Sequence, residues 1–148
     1  MVSFKLKHFD DLTPFELYDL LQLRQEIFAV EQDCVYQDND NYDQYGWHLM
    51  GYDQAGICCY TRLIGPNLIY SGATSIGRVV NHIRNRGKGF GKELMKVSIA
   101  RIQNLFPGYP IKISAQTYLK KFYEDLGFSQ IGEGYLEDGI PHIPMILE

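Results

Sequence analysis

The sequence has no run of eighteen apolar residues, no CxxC or HxxxH spacing, and no Lys or Arg between Arg24 and Arg62. The first absence excludes a membrane-spanning helix, which needs about 20 apolar residues in succession. Three cysteines, Cys34, Cys58 and Cys59, form an odd count without paired spacing, which argues against a disulfide framework and against a metal site. The adjacent Cys58 and Cys59 fit a strand in which each packs as a small apolar side chain. Residues 1–10 alternate in polarity and lack the apolar block of an export signal, so a cytoplasmic location is the default expectation.

With 148 residues, 45% of them hydrophobic, the chain has the size and apolar content of one packed domain spanning 1–148. Its net charge of −4 conceals an asymmetry. Glu26, Glu31, Asp33, Asp38, Asp40, Asp43 and Asp53 fill the stretch that has no basic residue. Arg78, Arg84, Arg86, Lys88, Lys92, Lys96 and Arg101 form a later block broken only by Glu93. The pattern predicts one region suited to a cation and another suited to an anion. The basic block is short and the net charge negative, so nucleic acid is not expected as a partner.

Val2, Phe4 and Leu6 alternate with polar residues as in a half-buried strand. Thr13-Pro14-Phe15-Glu16 has the form of a capping box, opening a helix that should run to about Glu31 with Leu17, Leu20, Leu21, Leu23, Ile27, Phe28 and Val30 on its apolar face. Residues 33–45 show little periodicity, and a connection of that length is often functional. Strands follow at 47–52 and 57–64 around a turn at Asp53-Gln54-Ala55-Gly56, and another at 74–80. A helix at 89–105, a strand at 111–115, a short helix at 118–126 and two closing strands complete the chain. Strand runs set between helices indicate a mixed α/β sheet flanked by helices, not a regular βαβ repeat.

The segment Arg86-Gly87-Lys88-Gly89-Phe90-Gly91 lies between a predicted strand and a predicted helix. Glycines let a ligand approach the backbone, and the amides at a helix start carry partial positive charge. Together they suit phosphate, with Arg84, Arg86, Lys88 and Lys92 adding attraction. The spacing fits neither a Walker loop, since Lys92 is followed by Glu93, nor a dinucleotide fingerprint, since the glycines recur every second residue.

Arg86, Gly89 and Gly91 resemble the Arg/Gln-x-x-Gly-x-Gly/Ala pyrophosphate loop of the GCN5-related N-acetyltransferases (GNAT). Ile76-Gly77-Arg78-Val79-Val80 resembles the family's pantetheine-pairing strand, and Phe122-Tyr123-Glu124-Asp125-Leu126-Gly127-Phe128 its late helix-to-strand segment. Residues 23–32 and 135–143 are similar to the ElaA branch of that family. The resemblance implies a largely antiparallel twisted sheet of about six to seven strands flanked by helices. It implies acetyl-coenzyme A as cosubstrate and an amine of a small molecule or peptide as acceptor. It places the cofactor on Val79, Val80, Tyr123 and residues 86–92. Gln116 stands where many members have Asn, seven residues before the tyrosine, and is the corresponding pantetheine candidate.

The implied chemistry needs a neutral amine, an oxyanion donor and a proton for the departing thiolate. The resemblance assigns the oxyanion contact to a strand amide near Val79 or Val80. Tyr123 is the candidate acid, because a phenol is protonated at neutral pH. Glu31, Glu137, Asp138 and His142 are candidates for the base, with His48 behind them. Arg24, Glu31, His48 and Asp138 are candidate acceptor contacts; Arg24 sits among apolar helix positions and needs a carboxylate partner or a place in the cleft. Two alternatives share much of this pattern: an acyl-homoserine-lactone synthase, and a non-catalytic coenzyme A-binding module. A homodimer is compatible with the sequence and not specified by it.

Overall fold

The computed structural model describes residues 2–148. An eight-stranded sheet holds β1 (Ser3–His8), β2 (Trp47–Asp53), β3 (Gly56–Ile64), β4 (Thr74–Asn81), β5 (Ile111–Gln116), β6 (Ser129–Gln130), β7 (Tyr135–Glu137) and β8 (Ile140–Leu147). The spatial order is β1-β2-β3-β4-β5-β8-β6, and β7 also pairs with β8. Every pairing is antiparallel except β4 with β5. The extra strand beyond the expected seven is the two-residue β6, which lies ahead of β7 along the same edge of β8.

Three helices cover the sheet: α1 (Pro14–Gln25), α2 (Phe90–Leu105) and α3 (Lys120–Asp125). Side chains alternate across a strand, so Met50, Tyr60 and Val80 meet Leu20 and Leu23 of α1, and Ile27 just beyond it, on one face. Leu63, Ile76, Ile113 and Met145 meet Met95 and Ile102 of α2 and Tyr123 of α3 on the other. Ser98 of α2 is fully buried yet satisfied, bonded to Thr61 at 2.7 Å and to the Leu94 carbonyl at 2.7 Å. Cys58 and Cys59 are buried in β3.

The capping box forms: Glu16 donates its amide to Thr13 Oγ1 at 3.1 Å, and Thr13 donates its amide to Glu16 Oε1 at 2.9 Å. Burial pushes the Glu16 carboxyl up, but the Thr13 amide and the Lys5 and Lys7 ammonium groups outweigh it and hold the pKa at about 2. The helix differs from expectation at its end. After Gln25 it widens into a π-helical turn over Glu26–Glu31, closed by the Gln32 amide on the Ile27 carbonyl at 3.0 Å. The wider turn rotates Val30, expected inward, out to 75% exposure. Such turns are often found at functional sites.

Candidate active site

β4 and β5 pair only at Thr74↔Ile111 and Ser75↔Lys112. β4 continues to Asn81 and β5 to Gln116, so the two strands separate beyond that contact and, among the described residues, leave the facing backbone of both without a strand partner. On its other side β4 carries a bulge. Tyr60 pairs Val80 and Arg62 pairs Gly77, so Arg78 and Val79 together oppose Thr61. Arg78 takes the extra place with φ +51°, a left-handed conformation that disfavours a side chain. The bulge shifts the alternation of β4 just where Val79 and Val80 border the opening.

The glycine loop lies at the far end of β4. Gly89 has φ +79° and precedes α2 with no side-chain cap, and the first helical bond there is Glu93 N to Gly89 O at 3.2 Å. The amides ahead of Glu93 therefore point outward unpaired, as at any uncapped helix start. A Cβ on Gly87 or Gly89 would meet no atom within 4 Å, so the approach to these amides is open. Asn81 closes the loop's inner side: its Oδ1 is buried without a partner among the described residues, and its Nδ2 lies 4.0 Å from where a Cβ on Gly91 would stand. Open amides, a helix start and an orphaned amide side chain together fit the pyrophosphate and pantetheine of coenzyme A. Among the described residues no cluster of His, Cys, Asp or Glu is arranged to hold a metal ion.

Tyr123 on α3 is 6% exposed, its ring edge-on to Phe122 and Phe128 at 5.1 and 5.9 Å. Burial pushes its phenol up to about 12, so it holds its proton across the neutral range. On the strands beyond β5, Glu137 and His142 come together. Glu137 Oε1 accepts from Ser114 Oγ at 3.1 Å, and Oε2 lies 3.5 Å from His142 Nε2. His142 Nδ1 meets the Ile140 carbonyl at 2.7 Å. A carbonyl can only accept, so Nδ1 carries a proton, and Nε2 is the ring nitrogen that faces Glu137. Tyr135 stacks on the imidazole at 6.3 Å and its hydroxyl bonds Ser114, while Gln116 pairs with His142 across β5 and β8.

The acidic stretch behaves otherwise than expected. Arg24 is fully buried, with Nε 2.7 Å from Asp38 and Nη1 2.8 Å from Asp43. Arg62 grips both oxygens of Asp40 at 2.7 and 2.8 Å and reaches Asp43 at 2.9 Å. Arg78 at the bulge holds Asp38 Oδ1 at 2.8 Å and Asp40 Oδ2 at 3.2 Å. Burial raises the Asp40 carboxyl, but Arg62 and Arg78 outweigh it and hold it at about 2. Three guanidinium groups thus neutralise three carboxylates and fasten the long loop over the sheet. Asp53 is bound by Arg84, and Glu31 by Arg86. The expected attraction of a cationic acceptor to this stretch is corrected accordingly: most of its carboxylates already have basic partners.

The family model for the acetyltransferase (GNAT) domain matches residues 29–148. The chain belongs to the GNAT acetyltransferase family. A UPF0039 protein of Synechocystis is 36% identical over 146 residues, covering 98% of this chain and 94% of the relative. ElaA of Escherichia coli is 36% identical over 150 residues, covering 100% and 97%. Among solved structures, an acyl-CoA N-acyltransferase from Pseudomonas aeruginosa superposes with TM-score 0.95 at 41% identity, and E. coli ElaA with TM-score 0.93 at 35% identity, each over 100% of both chains. The GNAT fold is thereby shown, as is the family's general chemistry, acyl transfer from coenzyme A.

Within the GNAT frame the sequence candidates divide. Val79, Val80, Gly87, Lys88, Gly89, Phe90, Gly91 and Lys92 line the strand opening and the helix start. Arg84 is withdrawn from that group, because its guanidinium is spent on Asp53 and on the Gly56 and Ile57 carbonyls, clamping the β2–β3 turn. Arg86 is held by Glu31 and by the Asn81 carbonyl. Arg24 and His48 are corrected from acceptor contacts to structural groups, since both are fully buried. His48 accepts from the Tyr60 hydroxyl at 2.6 Å and donates to the Asp43 carbonyl at 2.9 Å. Burial pushes its pKa down to about 4, which leaves it neutral and unsuited as a base. Asp138, with φ +51°, forms the β7–β8 turn with Gly139, and its carbonyl accepts from Cys34 Sγ at 3.4 Å. The sequence reasoning missed Asn81, Ser114 and Tyr135; their strand positions follow from the pattern, but their meeting depends on pairing between distant segments.

Proposed function

We propose that the chain transfers an acetyl group from acetyl-coenzyme A to a primary amine by direct attack. The observation that carries this is the separation of β4 from β5 beside an uncapped, glycine-opened helix start. Bound acetyl-coenzyme A supplies the activated thioester. Residues 87–92 hold its phosphates through backbone amides, with Lys88 and Lys92 adjacent. An unpaired amide at Val79 or Val80 donates to the oxygen that gains negative charge, already oriented by the bulge. Transfer forms one C–N bond and breaks the C–S bond; the amine gives up a proton and the thiolate takes one. Tyr123 is the donor to the thiolate, and the Glu137–His142 pair takes the proton from the amine.

Incubating the protein with acetyl-coenzyme A and a panel of primary amines, read as free thiol, tests the reading. Amine-dependent thiol release supports it. Tight cofactor binding with no release for any amine or peptide would leave a binding module instead.

A further inference from the structure

A cavity of about 320 Å³ lies between α1 with its π-helical turn and the long loop. Its apolar walls come from Leu21, Phe28, Ala29 and Tyr36. Neutral amides line much of the remainder, and Asp38 is the one ionisable carboxylate on the wall. That carboxylate has no free oxygen: Oδ2 takes the Arg24 bond at 2.7 Å and Oδ1 the Arg78 contact at 2.8 Å. A polycation would find no unpaired counter-charge here.

The same loop is anchored on both sides of the proposed chemistry. Asp38 is tied to Arg78, at the bulge beside Val79. Cys34 bonds the Asp138 carbonyl at 3.4 Å, and the Tyr36 hydroxyl stands 3.8 Å from where a Cβ on Gly139 would be. Tyr36 therefore borders the turn that follows Glu137. Through Asp38 and Tyr36 the cavity wall reaches both the strand that would bind the thioester and the turn that joins Glu137 to the strand of His142.

We propose that this cavity receives the apolar body of the acceptor, and that the acceptor is a small primary amine bearing an aromatic or branched aliphatic group and no second positive charge. The inference rests on the acetyl-transfer reading above. Three observations support it together. The volume falls at the small end of ligand cavities, roughly 300–1,000 Å³. Apart from the paired Asp38, the walls are apolar or neutral. The carboxylates nearby are already neutralised by Arg24, Arg62 and Arg78.

The test compares benzylamine and isopentylamine with spermidine as acceptors for the intact protein, following thiol release from acetyl-coenzyme A. The apolar amines should exceed spermidine in kcat/KM by about tenfold or more, the worth of burying one small apolar group. Tyr36→Ala, at a side chain 58% exposed and so tolerant of change, should raise KM for benzylamine about tenfold while leaving acetyl-coenzyme A affinity unchanged. Ala29→Trp should fill the cavity and remove benzylamine turnover; a retained melting temperature and cofactor affinity establish that it folds, and Tyr36→Ala decides the matter if it does not. Spermidine matching or exceeding the apolar amines would overturn the inference and leave acetyl transfer standing. So would an unchanged benzylamine KM in Tyr36→Ala. Absence of thiol release with every amine would remove the acetyl-transfer reading, and this inference with it.

Discussion

Replacing Asp43 by Asn removes one charge from the centre of the arginine–aspartate lattice while keeping the side chain's shape. The Asp43 carboxylate accepts from two buried guanidinium groups, Arg24 at 2.8 Å and Arg62 at 2.9 Å. Both arginines are nearly or fully out of water, at 0% and 2% exposure, so neither can recover hydration when the partner is lost. Burial raises the Asp43 carboxyl, but the two arginines more than reverse this and keep it ionised. Arg24 would retain Asp38, and Arg62 would retain both oxygens of Asp40, so the lattice is weakened and not emptied. Breaking a buried pair from one side costs about 3–5 kcal/mol, here because three guanidinium groups are left against two carboxylates and the buried arginines cannot regain water. In a domain of this size that lowers the midpoint of thermal unfolding by roughly 6–20 °C. Urea unfolding at neutral pH, followed by tyrosine and tryptophan fluorescence, reads the change. A loss below about 1 kcal/mol, the scale of an exposed ion pair, would refute the claim that these charges form a buried structural lattice.

Further outcomes follow from the same geometry. Tyr123→Phe should lower turnover about a hundredfold while leaving cofactor affinity and melting unchanged, as expected of a lost proton donor; wild-type turnover with chemistry rate-limiting would leave the tyrosine a packing residue. Gly89→Val forces a branched side chain into φ +79°, at a local cost of about 1–2 kcal/mol, and fills the open approach to the amides. Acetyl-coenzyme A affinity by calorimetry should then fall at least tenfold, and unchanged affinity would displace the assigned phosphate site. Stability should also decline as pH falls. The folded His48 stays neutral down to about 4, while the unfolded residue binds a proton near 6.5, so its share of the loss develops between those values, and the paired Glu16 and Asp40 carboxylates, held at about 2, extend the decline below them. The His48 share should reach a few kcal/mol and be absent in His48→Asn. Turnover of an apolar amine should be nearly insensitive to ionic strength, because the carboxylates near the cavity are already paired; a steep fall with salt would restore charge steering.

What could be read in the sequence was local. The capping box at Thr13 and Glu16 lies within four residues, and the Arg86–Gly91 segment contains its own glycines and helix start, so each is visible without knowing the fold. Strand order, the bulge and the lattice were not local. Arg78 meets Asp38 across forty positions of chain, and seven carboxylates viewed without their partners look like an open acidic patch. Arg24 had to find a carboxylate or a cleft, and three-dimensional pairing decided for Asp38 and Asp43. The bulge at Arg78 was hidden because Ile76, Val79 and Val80 read as one continuous strand. The π-helical turn was hidden because Ile27, Phe28 and Val30 fit an α-helical face equally well until the backbone widened.

The central claim is that an acyl-coenzyme A binds in the opening between β4 and β5, with its phosphates at the start of α2. Amide hydrogen exchange, measured on the protein alone and then saturated with acetyl-coenzyme A, tests it most directly. The account predicts slowed exchange at residues 87–92 and at Val79 or Val80, with little change along β1 and β2. Saturating cofactor that leaves those amides exchanging as before, or that protects a different surface, would contradict it.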